Sequence, residues 1–160
     1  AVIEEAPIEE QELPEAGIEE IRNAWNSIFP KIPIPLHRLE FIQLLSDRYP
    51  LFLLGNMDPM RIEKFQHSAG ISFYRDFYQC FERIYFSYEI GMRKPDSKIF
   101  SQIINHNDLS PNKTLYIDTD KTNIDLAAEK GLEVWHLDPD NEDVVDLYQK
   151  DFIQNNHLGI

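Results

Sequence analysis

Apolar positions change period several times along the chain, and each change marks an element. Ile18, Ile21, Trp25 and Ile28 recur at spacings of three and four, the stripe of one helical face. The run Pro30-Lys31-Ile32-Pro33-Ile34-Pro35 ends that helix, because proline brings no amide hydrogen to a helix interior. Leu36, Leu39, Ile42 and Leu45 restart a helix that closes near Asp47-Arg48-Tyr49-Pro50. Leu51-Phe52-Leu53-Leu54 then abandons the helical period. Consecutive apolar residues closed by Gly55-Asn56 suit a parallel strand buried on both faces.

The remaining elements follow by the same reasoning. Helices are expected over Pro59 to Gln66 and Phe73 to Phe81, and a strand over Ile84-Tyr85-Phe86-Ser87. Ile99, Phe100, Ile103 and Ile104 form one helical stripe, with Pro95 suited to that helix's first turn. Leu115-Tyr116-Ile117 reads as a strand, Ile124 to Lys130 as a helix stopped at Gly131, and Glu133 to Leu137 as a last strand before a helix near Val144. Strands alternating with helices predict an α/β fold: a Rossmann-like, doubly wound parallel sheet with helices on both faces. Ligands of such sheets bind beyond the carboxyl ends of the strands. Here those ends are Gly55-Asn56, Ser87 onward and Asp118-Thr119-Asp120.

Composition narrows the chemistry. A net charge of -13 on 160 residues excludes the clustered Lys and Arg that nucleic-acid backbones require. One cysteine, Cys80, forbids an intrachain disulfide and a Cys-rich metal site; in Phe77-Tyr78-Gln79-Cys80-Phe81 it reads as a buried thiol. No apolar run reaches the roughly 18 residues of a membrane span. The N-terminus is acidic where a secretory signal would be basic and then apolar, so the cytoplasm is the expected address. Residues 1-17, with Pro7, Pro14 and no Lys or Arg, read as an acidic linker or arm. Ala1 is not an initiator methionine, which leaves the chain either trimmed by one residue or cut from something longer.

Two segments carry candidate chemistry. Lys94 lies in Gly91-Met92-Arg93-Lys94-Pro95-Asp96 between a strand and a helix, where its ammonium could neutralise a phosphate and a neighbouring carboxylate. Asp118 ends a strand and is followed by Thr119, Asp120 and Asn123, oxygen donors of the hard kind that Mg²⁺ prefers; taken alone, an Asp-rich strand end is more often a helix cap or turn. Trp25, Phe73, Phe77, Phe81 and Tyr85 read as core or cap packing, and the five histidines lack ligand spacing.

Leu51-Phe52-Leu53-Leu54-Gly55-Asn56, Tyr88-Glu89-Ile90-Gly91-Met92-Arg93-Lys94-Pro95-Asp96 and Leu115-Tyr116-Ile117-Asp118 occur in an order and at spacings that resemble the haloacid dehalogenase superfamily, from about Trp25 to Leu137. The likeness is strongest to its phosphatase-like subgroup. It implies phosphoryl transfer through an aspartyl-phosphate, with a nucleophilic Asp, a second Asp as acid/base and Mg²⁺. It assigns Lys94 to the phosphate and the nucleophile, Gly55 and Asn56 to the substrate beside the phosphate, and Asp118 to the metal, with Thr119, Asp120 and Asn123 as support for the metal loop. It also divides the chain into the arm 1-17, a remnant of helical cap and connecting helix at 18-49, and an α/β core at 50-160.

The chain departs from the family pattern at three places. No apolar strand followed by Asp-x-Asp precedes Ile18, so the first strand with its nucleophile and most of the cap are missing. Gly55 stands where Ser or Thr would offer a hydroxyl to the phosphate, and Thr119 stands where a second Asp would ligate the metal. Two readings follow: a phosphatase for a small phosphorylated metabolite, seen without its nucleophile strand, or an inactive binding or structural subunit, a pseudoenzyme. Because the family's first strand lies between those bearing Gly55 and Asp118, the sheet needs completing. An upstream segment, a partner chain, or direct pairing of the two flanking strands could do this.

Overall fold

The computed structural model describes residues 34–151. The Ile18–Ile28 helix and the acidic arm lie outside them. The chain runs α1 (Leu36–Ser46), β1 (Phe52–Gly55), α2 (Pro59–Ala69), α3 (Ile71–Tyr78), β2 (Arg83–Phe86), a short turn α4 (Ser87–Ile90), α5 (Ser97–His106), β3 (Leu115–Asp118), α6 (Lys121–Glu129) and β4 (Glu133–His136). Short 3-10 turns cover Pro111–Lys113 and Val144–Gln149.

All strand pairing is parallel. β1 pairs with β2, Gly55 opposite Phe86, and β3 pairs with β4, Asp118 opposite His136. Among the described residues β1 and β3 form no ladder with each other, so direct pairing of the two flanking strands is not the solution adopted. The two pairs nevertheless share their packing partners. Leu51 before β1 and Leu115 and Ile117 of β3 pack on the cluster of Phe41, Leu45, Trp135 and Leu147. Leu54, Tyr116 and Val134 pack on the other cluster, Ile99, Phe100 and Ala127. Side chains alternate across a strand, so these are the two faces of one layer. On one side lie α1 and the last 3-10 turn, on the other α5 and α6.

Several expectations shift. The helix of the Leu36 stripe forms, but Leu36 is 63% exposed while Phe41 is buried. The cause is that α1 serves two cores: Phe41 and Leu45 meet Trp135, whereas Leu39 meets Phe77 and Cys80. Pro95 does not enter α5; Asp96 caps it, its carboxylate accepting from Lys98 N–H at 2.9 Å, and the helix starts at Ser97. The expected last helix is a 3-10 turn, opened by a capping box in which Asp143 and Asp146 satisfy each other's backbone N–H groups. Asp143 also takes a two-pronged ion pair from Arg38, 2.9 and 3.1 Å from Nε, which fastens that turn to α1. Cys80 is buried. No helix among the described residues is long and apolar enough to cross a membrane.

The α5–α6 core supports the strand carrying Asp118, so its packing should dominate stability. Phe100→Ala, at a site 2% exposed, is expected to lower the unfolding free energy by about 3–5 kcal/mol in urea titration. Leu36→Ala on the exposed side of α1 should change it by no more than about 0.5 kcal/mol.

Candidate active site

The strand ends converge on one buried pair. Lys94, in the loop after α4, is 4% exposed, and Asp118, the last residue of β3, is 7% exposed. Lys94 Nζ donates to Asp118 Oδ2 at 2.7 Å. Two further donors reach the same oxygen: the Tyr116 hydroxyl at 2.5 Å and Asn123 Nδ2 at 3.1 Å. The other oxygen, Oδ1, accepts, among the described residues, only the Asp120 N–H, at 3.0 Å. Burial alone would raise the Asp118 pKa, but the Lys94 ammonium and the Tyr116 hydroxyl hold it below the usual carboxylate range. Burial and the anionic Asp118 together push Tyr116 up, so its proton stays on the phenol. The Lys94 ammonium lies 5.9 Å from the centroid of the Tyr116 ring.

Two side chains tie the surrounding loops together. Asn56, just beyond β1, accepts from Lys94 N–H at 2.8 Å and donates through Nδ2 to Lys94 C=O at 2.9 Å. Ser87, just beyond β2, accepts from Met57 N–H at 3.1 Å and donates to Met57 C=O at 3.0 Å. Each loop is thus held by a side chain from the other strand's end.

Gly55 ends β1 in a crowded position. A Cβ there would meet Met57 Cγ at 3.2 Å and the Phe86 ring at 3.5 Å. A hydroxyl-bearing side chain would therefore have to displace Met57, and Gly55 can offer only main-chain groups. On the metal side, the Asp120 carboxylate caps α6, accepting from Thr122 N–H at 2.7 Å, while the Thr119 carbonyl accepts from His136 Nε2 at 3.0 Å. Lys94, Asp118, Asn123 and Asn56 are thus brought into one network, and Asp120 joins it through its backbone N–H. The Thr119 side chain has no bond in it.

The residues fit a Mg²⁺ ion of the kind held by one carboxylate, waters and substrate phosphate. Asn123, 1% exposed, donates through Nδ2 to Asp118 and buries a side-chain oxygen, Oδ1, with no hydrogen-bond partner among the described residues. Asp118 Oδ1 likewise has only its one N–H donor. Both are hard oxygen donors. Among the described residues no cluster of three or more His, Cys, Asp or Glu could hold a metal.

The sequence reading placed Ser87 at a strand end where ligands bind but gave it no role, and it singled out neither Tyr116 nor Met57. Tyr116 was findable: two residues before Asp118 on a strand, it must share its face. Ser87 carried a weaker signal as the first polar residue after an apolar strand. Nothing in sequence marked Met57.

Comparison with known proteins bears on the fold and its relatives. No family model matches the chain. D-ribitol-5-phosphate phosphatase of Bacteroides thetaiotaomicron is 28% identical over 127 residues, 79% of this chain. The chain spans about three fifths of that relative's length, 60%. A HAD family enzyme of the same organism, solved with magnesium and inorganic phosphate, superposes with TM-score 0.67 at 27% identity, covering 81% of this chain and 64% of that one. A HAD-like family hydrolase of Porphyromonas gingivalis gives TM-score 0.60 at 26% identity, over 72% of this chain and 57% of its own. In motif order, fold and identity the chain is similar to phosphatase-like members of the haloacid dehalogenase superfamily.

Proposed function

We propose that the chain supplies the phosphate-binding and metal-binding side of a Mg²⁺-dependent phosphohydrolase acting on a small phosphorylated metabolite. The observation that carries this reading is the Lys94 ammonium, buried against Asp118 at the carboxyl ends of parallel strands. A cation fixed in a dry site stabilises charge on transferring phosphoryl oxygens without reorganising during the reaction. Asp118 keeps that lysine in place, and Tyr116 and Asn123 keep Asp118 in place. Asp118 Oδ1 and Asn123 Oδ1 would face the metal, which when bound supplies charge neutralisation at the phosphoryl oxygens. A sugar or polyol phosphate is the substrate type suggested by the curated relative's activity.

In this reading the nucleophilic Asp comes from a strand outside the described residues, seated between β1 and β3. Its carboxylate oxygen would bond to phosphorus as the bond from phosphorus to the leaving alcohol oxygen breaks, a second Asp giving that oxygen its proton. Water then hydrolyses the aspartyl-phosphate. The separation of β1 from β3 between two shared helical layers supports this arrangement. An inactive binding subunit is the second reading, favoured by the crowding of Gly55 and by Thr119 standing where a second Asp would ligate the metal.

Two measurements decide between them. The complete protein should release phosphate from sugar or polyol phosphates only with Mg²⁺, and Lys94→Ala should slow release at least about a hundredfold. Release that persists unchanged in that variant would sink the catalytic reading, and no release at all from the complete protein would favour the subunit. Separately, Mg²⁺ should raise the melting temperature of the wild-type chain and not that of Asp118→Asn, each compared with its own metal-free value. Asp118→Asn should also cost about 3–5 kcal/mol of stability, because it leaves Lys94 buried without its counter-ion.

A further inference from the structure

We infer that Asn56 and Ser87 are positioning residues that aim the Lys94 ammonium, acting as a reciprocal pair of clamps across the ends of β1 and β2. The inference rests on the reading of Lys94 as the phosphate-binding cation. A lysine carries its charge on a flexible four-carbon stem, so the position of Nζ is only as well defined as the backbone it springs from. At Lys94 that backbone lies in a loop, outside any helix or strand ladder. Asn56 replaces the missing ladder: its planar amide meets both the N–H and the C=O of residue 94, at 2.8 and 2.9 Å, as a neighbouring strand would.

Asn56 is itself in a loop, and a clamp is no firmer than its mounting. Ser87 supplies the mounting by taking both the N–H and the C=O of the next residue, Met57, at 3.1 and 3.0 Å. The connection closes on itself, since Ser87 opens the short turn α4 that leads through Gly91 to Lys94. Four hydrogen bonds from two side chains thus fix one loop against the other, with the buried Lys94–Asp118 contact at the end of the chain of constraint. The Asn56 oxygen and one of its amide hydrogens are committed to this task, which makes the residue a support for the lysine where the family resemblance assigns it to the substrate.

The test is made on the 160-residue chain without phosphate, by following solvent exchange of the Lys94 ammonium protons by NMR. Asn56→Ala and Ser87→Ala are expected to raise that exchange at least tenfold, while amide exchange at Tyr116 and Ile124 stays within twofold of wild type. Ser87→Thr, which keeps the hydroxyl, should restore slow exchange. Lys94 exchange within twofold of wild type in both alanine variants would overturn the proposal. So would acceleration that spreads equally through β3 and α6, the mark of a general structural role; if Asn56→Ala does not fold, Ser87→Ala against Ser87→Thr decides alone. Affinity for inorganic phosphate is then measured separately. It should weaken in the same order as the exchange rises, and alanine variants that bind as wild type would overturn the positioning role. A wild-type chain that does not bind phosphate, yet shows the exchange pattern, would count against the proposed function and leave the clamp standing.

Discussion

The buried ion pair between Lys94 and Asp118 is the constraint around which the other polar features of the site are arranged. Taking an ammonium and a carboxylate out of water costs several kcal/mol per ion, and their mutual attraction offsets this only when the remaining lone pairs are also satisfied. The structure meets that condition on one oxygen of Asp118 through three donors from three separate elements. Apolar layers on both faces exclude water from the strand that carries it. The same packing that makes the pair expensive also makes it rigid, and a rigid charge is what phosphoryl transfer uses.

This arrangement divides the two oxygens of Asp118 into separate tasks. Oδ2 is consumed by the protein, whereas Oδ1 holds a single backbone donor and remains the oxygen available to a ligand. Asn123, whose Nδ2 donates to the same carboxylate, keeps its own side-chain oxygen without a partner among the described residues.

Much of this was legible in the sequence because it follows from period and punctuation. The four strands were placed to within a residue or two by short apolar runs, Asp118 by its place at the end of one, and Lys94 by its segment between a strand and a helix. What was not legible depended on distance in space. The stripe of α1 misled because the helix faces two cores, which a single-face template cannot represent. The hydrogen bonds of Asn56 to the backbone of residue 94 were hidden because an asparagine at a strand end can serve a ligand or a neighbouring backbone, which sequence alone does not tell apart. Pro95 fell one step outside its helix because Asp96 makes the better cap.

The close approach of Met57 to Gly55 has a bearing on the chain's history and its redesign. Because Ser87 holds the Met57 backbone, only the thioether side chain is free to move aside for a new group at residue 55. A change from glycine to serine at that position is therefore coupled to the residue two places on, and its effect depends on whether Met57 has already become smaller. Such dependence makes the order of substitutions matter. A hydroxyl-bearing residue at this strand end therefore needs the Met57 side chain to give way by a few tenths of an ångström.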